Sequence, residues 1–450
     1  GSVTDVLDNV PSVTVDVEGN ISLRGNESVR ILINGKPSAL SGLSTEALQQ
    51  LPAEAIEKVE VITNPSARYD AEGSAGILNI ILRRSKLQGL NGAVTLNTGY
   101  PKQAGVSGNI NDKTGDLNFF NTTGYNYREN PGNSFSNTEF FNGDEPNTFL
   151  NETRNFDRTN KGLNTNFGVE WYINDTSSLT AALVYRNSDN ESNSKNVLDE
   201  IDENNVLTRN IRIDPEFEDD KTLQYSLNFD KQFNGESDHK LTVDFQYEDS
   251  NENETSLINQ NGINVENVET QEEQNRILLQ SDYVRPIGES GQFELGYRGE
   301  FQNLNSDFLV ENTNDEGQTF FTNLDLSNNL DFKQYVNAFY SQYGNKIGDK
   351  FSFLLGLRYE GTRITINQKT SADFEKKEYN QLFPTLNLSY ELSEKESVTF
   401  GYNRRIRRPR SRFINPFPSR SSATSIFQGN PDLDPSVSDA FDIAYINRSW

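Results

Sequence analysis

From Gly89 onward the sequence is a series of segments in which apolar and polar residues alternate, and the connections between them are alternately short and long. Alternation with a period of two is typical of β-strands that present one apolar and one polar face. The short connections are rich in Gly, Asn, Asp and Ser, which favour tight turns. The pattern predicts an all-β body with tight turns at one end and long loops at the other.

The alternation predicts about fourteen strands in this body. They lie near residues 89–99, 104–111, 116–127, 162–173, 178–188, 220–232, 239–249, 275–285, 291–305, 331–344, 350–366, 380–391, 396–405 and 437–447. Long polar connections are predicted at 129–160, 189–219, 250–274 and 306–329. A soluble sandwich has no reason to sort its connections by length in this way. A bacterial outer-membrane barrel does, with short periplasmic turns and long extracellular loops.

The polar faces of these strands carry too many charges for a dry interior. In one strand, the apolar residues Leu241, Val243, Phe245 and Tyr247 alternate with the polar residues Thr242, Asp244, Gln246 and Glu248. Burying unpaired charges in an apolar core is strongly unfavourable. The consistent arrangement is therefore inverted, with apolar side chains facing lipid and polar side chains facing a wet lumen. Tyrosines near strand ends fit the aromatic girdles of such barrels.

Composition excludes several function classes. The chain has 66 acidic and 41 basic residues and a net charge of -25, so its bulk charge disfavours nucleic-acid binding. It has no cysteine, which excludes a disulfide framework and a thiolate metal site. The single histidine, His239, cannot form a zinc site or a catalytic triad alone.

The sequence also lacks the motifs of common enzymes. We find no nucleophile elbow, phosphate-binding loop or metalloprotease motif. Two acidic, Asn-rich segments, 201–205 and 312–317, lack EF-hand spacing and are interpreted as solvated loops. The mean hydropathy is -0.71, but a transmembrane strand needs only ~9–11 residues with every second one facing lipid. We therefore expect no enzyme, no cofactor and no metal site.

The first 88 residues have a different pattern, which mixes short helices and strands. Alternating residues on both sides of Glu18-Gly19-Asn20 predict a β-hairpin. Helices are predicted at 3–10, 44–51 and 52–57, and strands at 59–63 and 76–83. The sequence thus predicts a small α/β domain at residues 1–88 and an all-β domain at residues 89–450.

Five stretches carry a family resemblance. They read DVLDNVPSVTVDVEGNISLRG, VRILINGKP, IEKVEVITNPSARYDAEGSAGILNIIL, RRIRRPRSRFINPFPSR and FQGNPDLDPSVSDAFDIAY. These stretches resemble TonB-dependent outer-membrane receptors and, more narrowly, the outer membrane protein beta-barrel family. The resemblance implies that residues 1–88 form a plug inside a multi-pass transmembrane antiparallel β-barrel, in the outer membrane of a Gram-negative bacterium.

The resemblance also implies a lock between the plug and the barrel. In relatives, an arginine of the LRG-like motif and a second arginine before a Gly-Pro turn pair with barrel carboxylates. The first corresponds to Arg24, for which a solvated turn residue is the alternative interpretation. The second position is occupied by Thr63, just before Asn64-Pro65, so Arg68 is the candidate replacement.

A second group of candidate site residues is an arginine cluster late in an otherwise acidic chain. Its members are Arg404, Arg405, Arg407, Arg408, Arg410 and Arg412, at the upper end of a predicted strand and in the loop beyond it. One hypothesis is a surface that attracts an anionic ligand into the vestibule. The other is that these arginines pair with carboxylates of the lumen and with the plug.

About fourteen strands are too few to enclose a plug of this size, because plugged transporters have ~22 strands. We therefore expect further strands after Trp450, since two unpaired strand edges in lipid would lack hydrogen bonds. The TonB box that the resemblance implies would precede residue 1.

Three functions follow as hypotheses. The resemblance implies a receptor and transporter whose loops capture a ligand, whose plug gates the lumen, and whose energy comes from the TonB complex of the inner membrane. The alternative is a structural barrel subunit of an outer-membrane assembly or secretion complex, which would hold partner outer-membrane proteins or surface lipoproteins. The third is a soluble or surface β-rich adhesin. Outer-membrane lipids are expected partners under the first two hypotheses, and nucleic acid under none.

Overall fold

The fold is known from a computed structural model in which strands dominate. The described residues are 3–10, 13–15, 21–23, 29–33, 53, 56–62, 66–69, 71, 76–82, 89–141, 146–233, 236–313, 319–416, 418–422 and 425–447. No helix among them is long and apolar enough to cross a membrane.

The N-terminal part packs a helix and two small sheets around one apolar core. Its elements are α1 (Val3–Leu7), β1 (Val13–Val15), β2 (Ile21–Leu23), β3 (Val29–Ile33), β4 (Ile56–Ile62) and β5 (Gly76–Leu82). Strands β1 and β2 pair as the predicted hairpin, and β5 lies between β3, which is parallel to it, and the antiparallel β4. The buried core consists of Val3, Leu7, Val13, Ile21, Leu23, Ile56, Leu78 and Ile80.

One helix prediction in this part is wrong. The helix predicted at 52–57 ends inside β4, because Ile56 packs into the core as a strand residue and pairs with Leu82. The helix predicted at 44–51 lies outside the described residues.

The large sheet begins at Gly89 and runs through the rest of the chain. Its strands are β6 (Gly89–Gly99), β7 (Gln103–Thr114), β8 (Leu117–Phe140), β9 (Thr148–Asn174), β10 (Ser177–Ile201), β11 (Leu207–Phe233), β12 (Glu236–Gln260), β13 (Ile263–Ile287), β14 (Gly291–Thr313), β15 (Phe320–Thr322), β16 (Asn328–Ile347), β17 (Phe351–Gln368), β18 (Asp373–Glu391), β19 (Glu396–Arg407) and β22 (Ser436–Asn447). Fourteen of them pair antiparallel in chain order, and the short β15 adds to β14. The fourteen predicted strands are thereby confirmed.

The segment between β19 and β22 has its own small elements. They are the one-turn helix α2 (Ser411–Ile414) and the hairpin of β20 (Pro418–Ser422) and β21 (Ser425–Gln428). Ile414 packs against the apolar residues Leu304, Leu330, Phe332, Ile364 and Ile366, which belong to β14, β16 and β17. Part of this long connection therefore folds back onto the sheet.

The long polar connections are mostly strand, which corrects the loop prediction. Strands β10 and β11 continue through 189–219 and leave only the turn 202–206 between them. Strands β12 and β13 meet at Asn261-Gly262, whose positive φ angles of 52° and 90° suit a two-residue hairpin turn. The segments are mostly polar on both faces because they stand in water. The apolar alternation that predicts a lipid-facing strand therefore ends before the strand pairing does.

The inside-out arrangement of the sheet is confirmed. Outward apolar residues stay exposed, as shown by Leu227 (47%), Leu295 (50%) and Leu355 (51%). Inward charged residues are covered, as shown by Asp282 and Glu360, each 1% exposed. Strand β11 has 27 residues, and at about 3.3 Å per residue it is roughly 90 Å long. Since ~9–11 residues cross a bilayer, the outer halves of such strands project beyond it.

This arrangement predicts opposite outcomes for two arginine substitutions on the outer face. Leu227→Arg places a charge in the apolar belt and should lower the free energy of unfolding by ~2–4 kcal/mol. Asn253→Arg, on the outer face of β12 beyond the belt, should leave it nearly unchanged. Denaturant titrations of the protein refolded into lipid vesicles measure both. Equal losses would contradict the assignment of Leu227 to lipid.

Candidate functional site

The N-terminal domain contacts the inner face of the large sheet, which is called the wall below, through the connection between β4 and β5. Ser66 to Tyr69 form a tight turn in which the Tyr69 amide donates to the Ser66 carbonyl at 3.1 Å. Ala67 and Ala71 are each 3% exposed, so this loop is covered by the wall. This loop, residues 66–69 and 71, is called the plug loop below. It is the described part of the domain at which polar contacts to the wall are best defined.

The first contact joins Arg68 to the inner face of β13. Its Nη2 lies 3.4 Å from Oδ2 of Asp282. Asp282 also accepts hydrogen bonds from the Tyr340 hydroxyl at 2.5 Å and from Gln280 Nε2 at 2.7 Å. Contacts within the wall thus fix the position of the Asp282 carboxylate, and the half-buried Arg68 adds one more contact to it. Arg68 has the barrel carboxylate that the lock hypothesis requires, and the lock itself stays a prediction. Arg24 lies outside the described residues.

The second contact centres on Glu360 of β17. Its Oε1 accepts from Arg358 Nε at 2.6 Å, and its Oε2 accepts from Arg408 Nη2 at 2.5 Å. The Ala71 amide approaches Oε1 at 3.5 Å. Arg408 also donates to Thr362 Oγ1 at 3.2 Å. One buried carboxylate therefore joins the wall, the plug loop and the segment after β19.

The third contact is made by the backbone of β19. Strand β18 pairs with β19 only up to Thr385 and Asn403, after which β19 continues with β22 alone. Beyond that point the Ile406 amide donates to the Ala71 carbonyl at 2.9 Å. The side chains of Ile406, Phe383 and Ala71 pack together. The upper end of β19 thus separates from β18, stays paired with β22 and contacts the plug loop.

The structure distributes the six arginines of the late cluster over different surroundings. Arg408 belongs to the plug contact, and Arg405 is buried. Arg404 makes a two-point ion pair with Asp439 at 2.8 and 3.1 Å. The other three, Arg407, Arg410 and Arg412, are exposed. The guanidinium of Arg412 lies 4.8 Å from the centre of the Phe427 ring. Arg404 and Arg408 have the carboxylate partners of the pairing hypothesis, and a ligand role for the exposed three stays a prediction.

Sequence reasoning missed most residues of this contact, among them Asp282, Glu360 and Gly356. Asp282 and Glu360 are two of many acidic residues on alternating strands, and nothing local distinguishes them. Gly356 carries a signal, because a glycine inside a strand often marks a close approach of another chain segment. A Cβ at Gly356 would lie 2.8 Å from Ala67 Cβ, so the plug loop needs a glycine there.

Two family descriptions match the chain in the order that the fold shows. The TonB-dependent Receptor Plug Domain matches residues 1–77, and the Outer membrane protein beta-barrel family matches residues 231–450. The chain belongs to the TonB-dependent receptors. It is accordingly a β-barrel protein of the Gram-negative outer membrane. The predicted domain boundary at residue 88 stays a prediction.

Solved structures share the fold of this receptor. The alcaligin outer-membrane receptor FauA of Bordetella pertussis is 13% identical, with a TM-score of 0.63 over 99% of this chain and 64% of that one. The copper transporter OprC is 11% identical, with a TM-score of 0.63 over 99% and 66%. The ferric citrate transporter FecA is 15% identical, with a TM-score of 0.57 over 90% and 60%. The receptor chain thus covers 60–66% of the length of these structures, which is less than two thirds.

A curated relative is closer in sequence over a short stretch. The iron-regulated outer membrane virulence protein of Vibrio cholerae is 38% identical over 110 residues, which cover 21% of the receptor chain and 17% of that protein. These relatives are named as transporters, receptors and a virulence protein.

Glu360 should be far more important for stability than a surface carboxylate with similar partners. Glu360→Ala leaves Arg358 and Arg408 buried without their shared acid, which should cost about 3–5 kcal/mol in unfolding free energy. It should also speed hydrogen exchange at the Ala71 amide. Glu378→Ala is the control, since Glu378 pairs with Arg363 and Lys376 in exposed positions and should change neither measurement. Matching effects of the two variants would argue against Glu360 as the centre of the contact.

Proposed function

We propose that this receptor takes up a ligand across the outer membrane and that displacement of the plug opens the path. The proposal rests on the contacts between the plug loop and the wall. Arg68 of the loop lies beside the buried Asp282. Ala71 of the loop and Arg408 of the segment after β19 both contact the buried Glu360. A few polar contacts of this kind can form and break as a unit, because each is strong only while its geometry is complete.

The geometry also supports a mechanical role for the wall. Ala71 is held by Glu360 and by the Ile406 amide, so the plug loop is tied to β17 and to the end of β19. The chain beyond β19 continues directly into the extracellular segment that packs on Leu330 and Phe332 through Ile414. A ligand that moves this segment would disturb the Arg408 to Glu360 pair and loosen the plug.

The partners follow from the family. We propose that the TonB complex of the inner membrane supplies the energy for plug displacement, and that lipids of the outer membrane surround the exposed apolar belt. By their names, the related structures handle ferric citrate, alcaligin and copper. The diversity of these ligands agrees with a shared fold that carries binding sites of different chemistry.

Plug displacement can be measured without knowing the ligand, because the chain has no cysteine. Ala67→Cys places one thiol on the covered plug loop. In energised cells with an intact TonB complex, a small maleimide should label this thiol several-fold faster than in cells treated with a protonophore, since only a displaced loop exposes it. Glu289→Cys, in the exposed turn between β13 and β14, should label equally in both.

Labelling of Ala67→Cys that is the same with and without the TonB complex would contradict gated uptake and favour a structural barrel.

A further inference from the structure

A group of carboxylates lies on the inner face of the wall, away from the plug contact. The register of β11, β12 and β13 places Asp220, Glu252 and Glu272 directly opposite one another, and places Glu218 opposite Glu254 in the next row. These five residues, on three adjacent strands, are called the acidic patch below.

The acidic patch lies above the bilayer. On the outer face of β12, the apolar residues 241–247 are followed by Asn251 and Asn253, which are exposed and polar. The belt that faces lipid therefore ends below the level of Glu252. The patch faces the water-filled entrance of the barrel.

Three members of the patch have partners among the described residues, and two have none there. Arg186 Nη2 donates to Asp220 at 2.6 Å, Asn190 Nδ2 to Glu218 at 3.1 Å, and Ser306 Oγ to Glu272 at 3.0 Å. Within the described part of the chain, Glu252 and Glu254 make no hydrogen bond and no ion pair. Burial, followed by repulsion from neighbouring carboxylates, raises the pKa of Glu252 to about 8 and that of Glu254 to about 7.

An independent observation at the same place is the hydroxyl of Ser188. Ser188 is 1% exposed and lies directly opposite Asp220 on the same inner face. Its Oγ has no hydrogen-bond partner among the described residues. A buried hydroxyl without a partner is unfavourable and uncommon in native structures. A bound donor beside Asp220 would satisfy it.

The spacing of the patch decides which kind of cation fits. Neighbouring strands lie ~4.8 Å apart, and residues i and i+2 of one strand lie roughly 6.6 Å apart. A single Ca²⁺ needs its oxygen ligands at ~2.3–2.6 Å. No group of three acidic or histidine side chains among the described residues is arranged to hold a metal ion. The patch therefore suits several separate positive charges on one extended molecule.

We propose that the acidic patch binds a linear polyamine, whose ammonium groups pair with Glu252 and Glu254 and donate to Ser188 Oγ. This proposal deepens the proposed uptake function, because it names the class of ligand that the entrance captures. Binding needs neither the TonB complex nor plug displacement, so it is measured separately from uptake.

Protons should compete with the polyamine for the patch. A protonated Glu252 or Glu254 offers no charge to an ammonium group, so affinity should rise between pH 6 and pH 8.5, where amines of this class remain protonated. Several charged and titratable groups face these two residues. They are Arg154 and Arg158 of β9, Arg186 of β10, Asp214, Glu216, Glu218 and Asp220 of β11, Glu248 of β12 and Glu272 of β13.

Isothermal titration of spermidine into the full-length protein in detergent micelles tests the proposal. At pH 8.5 and low salt, Glu252→Gln with Glu254→Gln should weaken binding about tenfold or more, because two charge contacts are lost. The control, Glu269→Gln with Glu273→Gln, removes the same charge from exposed positions on the outer face of β13 and should change affinity less than about twofold. Both variants should fold, since each removes repulsion and no pairing at the plug.

Three results would overturn the proposal. The first is no saturable binding of spermidine to the unmodified protein. The second is equal weakening by the inner and outer double variants, which would indicate attraction to net charge alone. The third is Mg²⁺ binding as tightly as spermidine at the patch, which would indicate a single-ion site. Loss of plug labelling with intact spermidine binding would count against gated uptake only.

Discussion

The structure depends on the requirement that backbone polar groups in a membrane be paired within the protein. Lipid offers no hydrogen bonds, so a β-sheet protein crosses it as strands that pair with their neighbours. This requirement produces the antiparallel order of the fourteen long strands. It also explains the inversion of the side chains, because the outer face meets hydrocarbon while the inner face meets water and the plug.

On the inner face, pairing of charged side chains stabilises the structure, as apolar packing does elsewhere. Asp282 and Glu360 are nearly inaccessible, yet each accepts hydrogen bonds from the wall and receives a group from the plug loop. Such carboxylates are stable only with their partners, so the plug seat is cooperative. Higher on the same face, Glu252 and Glu254 lack partners in the part of the chain that the structure describes, and we attribute that difference to a ligand. The wall thus holds the plug through carboxylates that have partners, whereas carboxylates without a described partner face the entrance of the barrel.

How far the sequence predicts this receptor differs between fold and site. The fourteen strands, the N-terminal hairpin and the inside-out faces follow from local alternation, because lipid and water on opposite sides impose a period of two. The outer halves of β10 to β13 were predicted as loops, since both of their faces meet water and the alternation vanishes. The helix prediction at 52–57 is wrong because Ile56 belongs to β4. Burial of Ile56 in the plug core outweighs the local helix propensity.

The sequence by itself determined which residues face lipid and which face the lumen. The family resemblance made Arg68 a lock candidate, and the arginine cluster made Arg408 a candidate for either an anionic ligand or a carboxylate partner. Only the tertiary structure decided the partners. Arg68 and Asp282 are 214 residues apart in the chain, and Arg408 and Glu360 are 48 apart, so strand register and the seat of the plug select one carboxylate among many. The same holds for the acidic patch, because three strands bring Asp220, Glu252 and Glu272 side by side only through their pairing. Alternation is a local property of the chain, whereas a charge contact is set by distance in space.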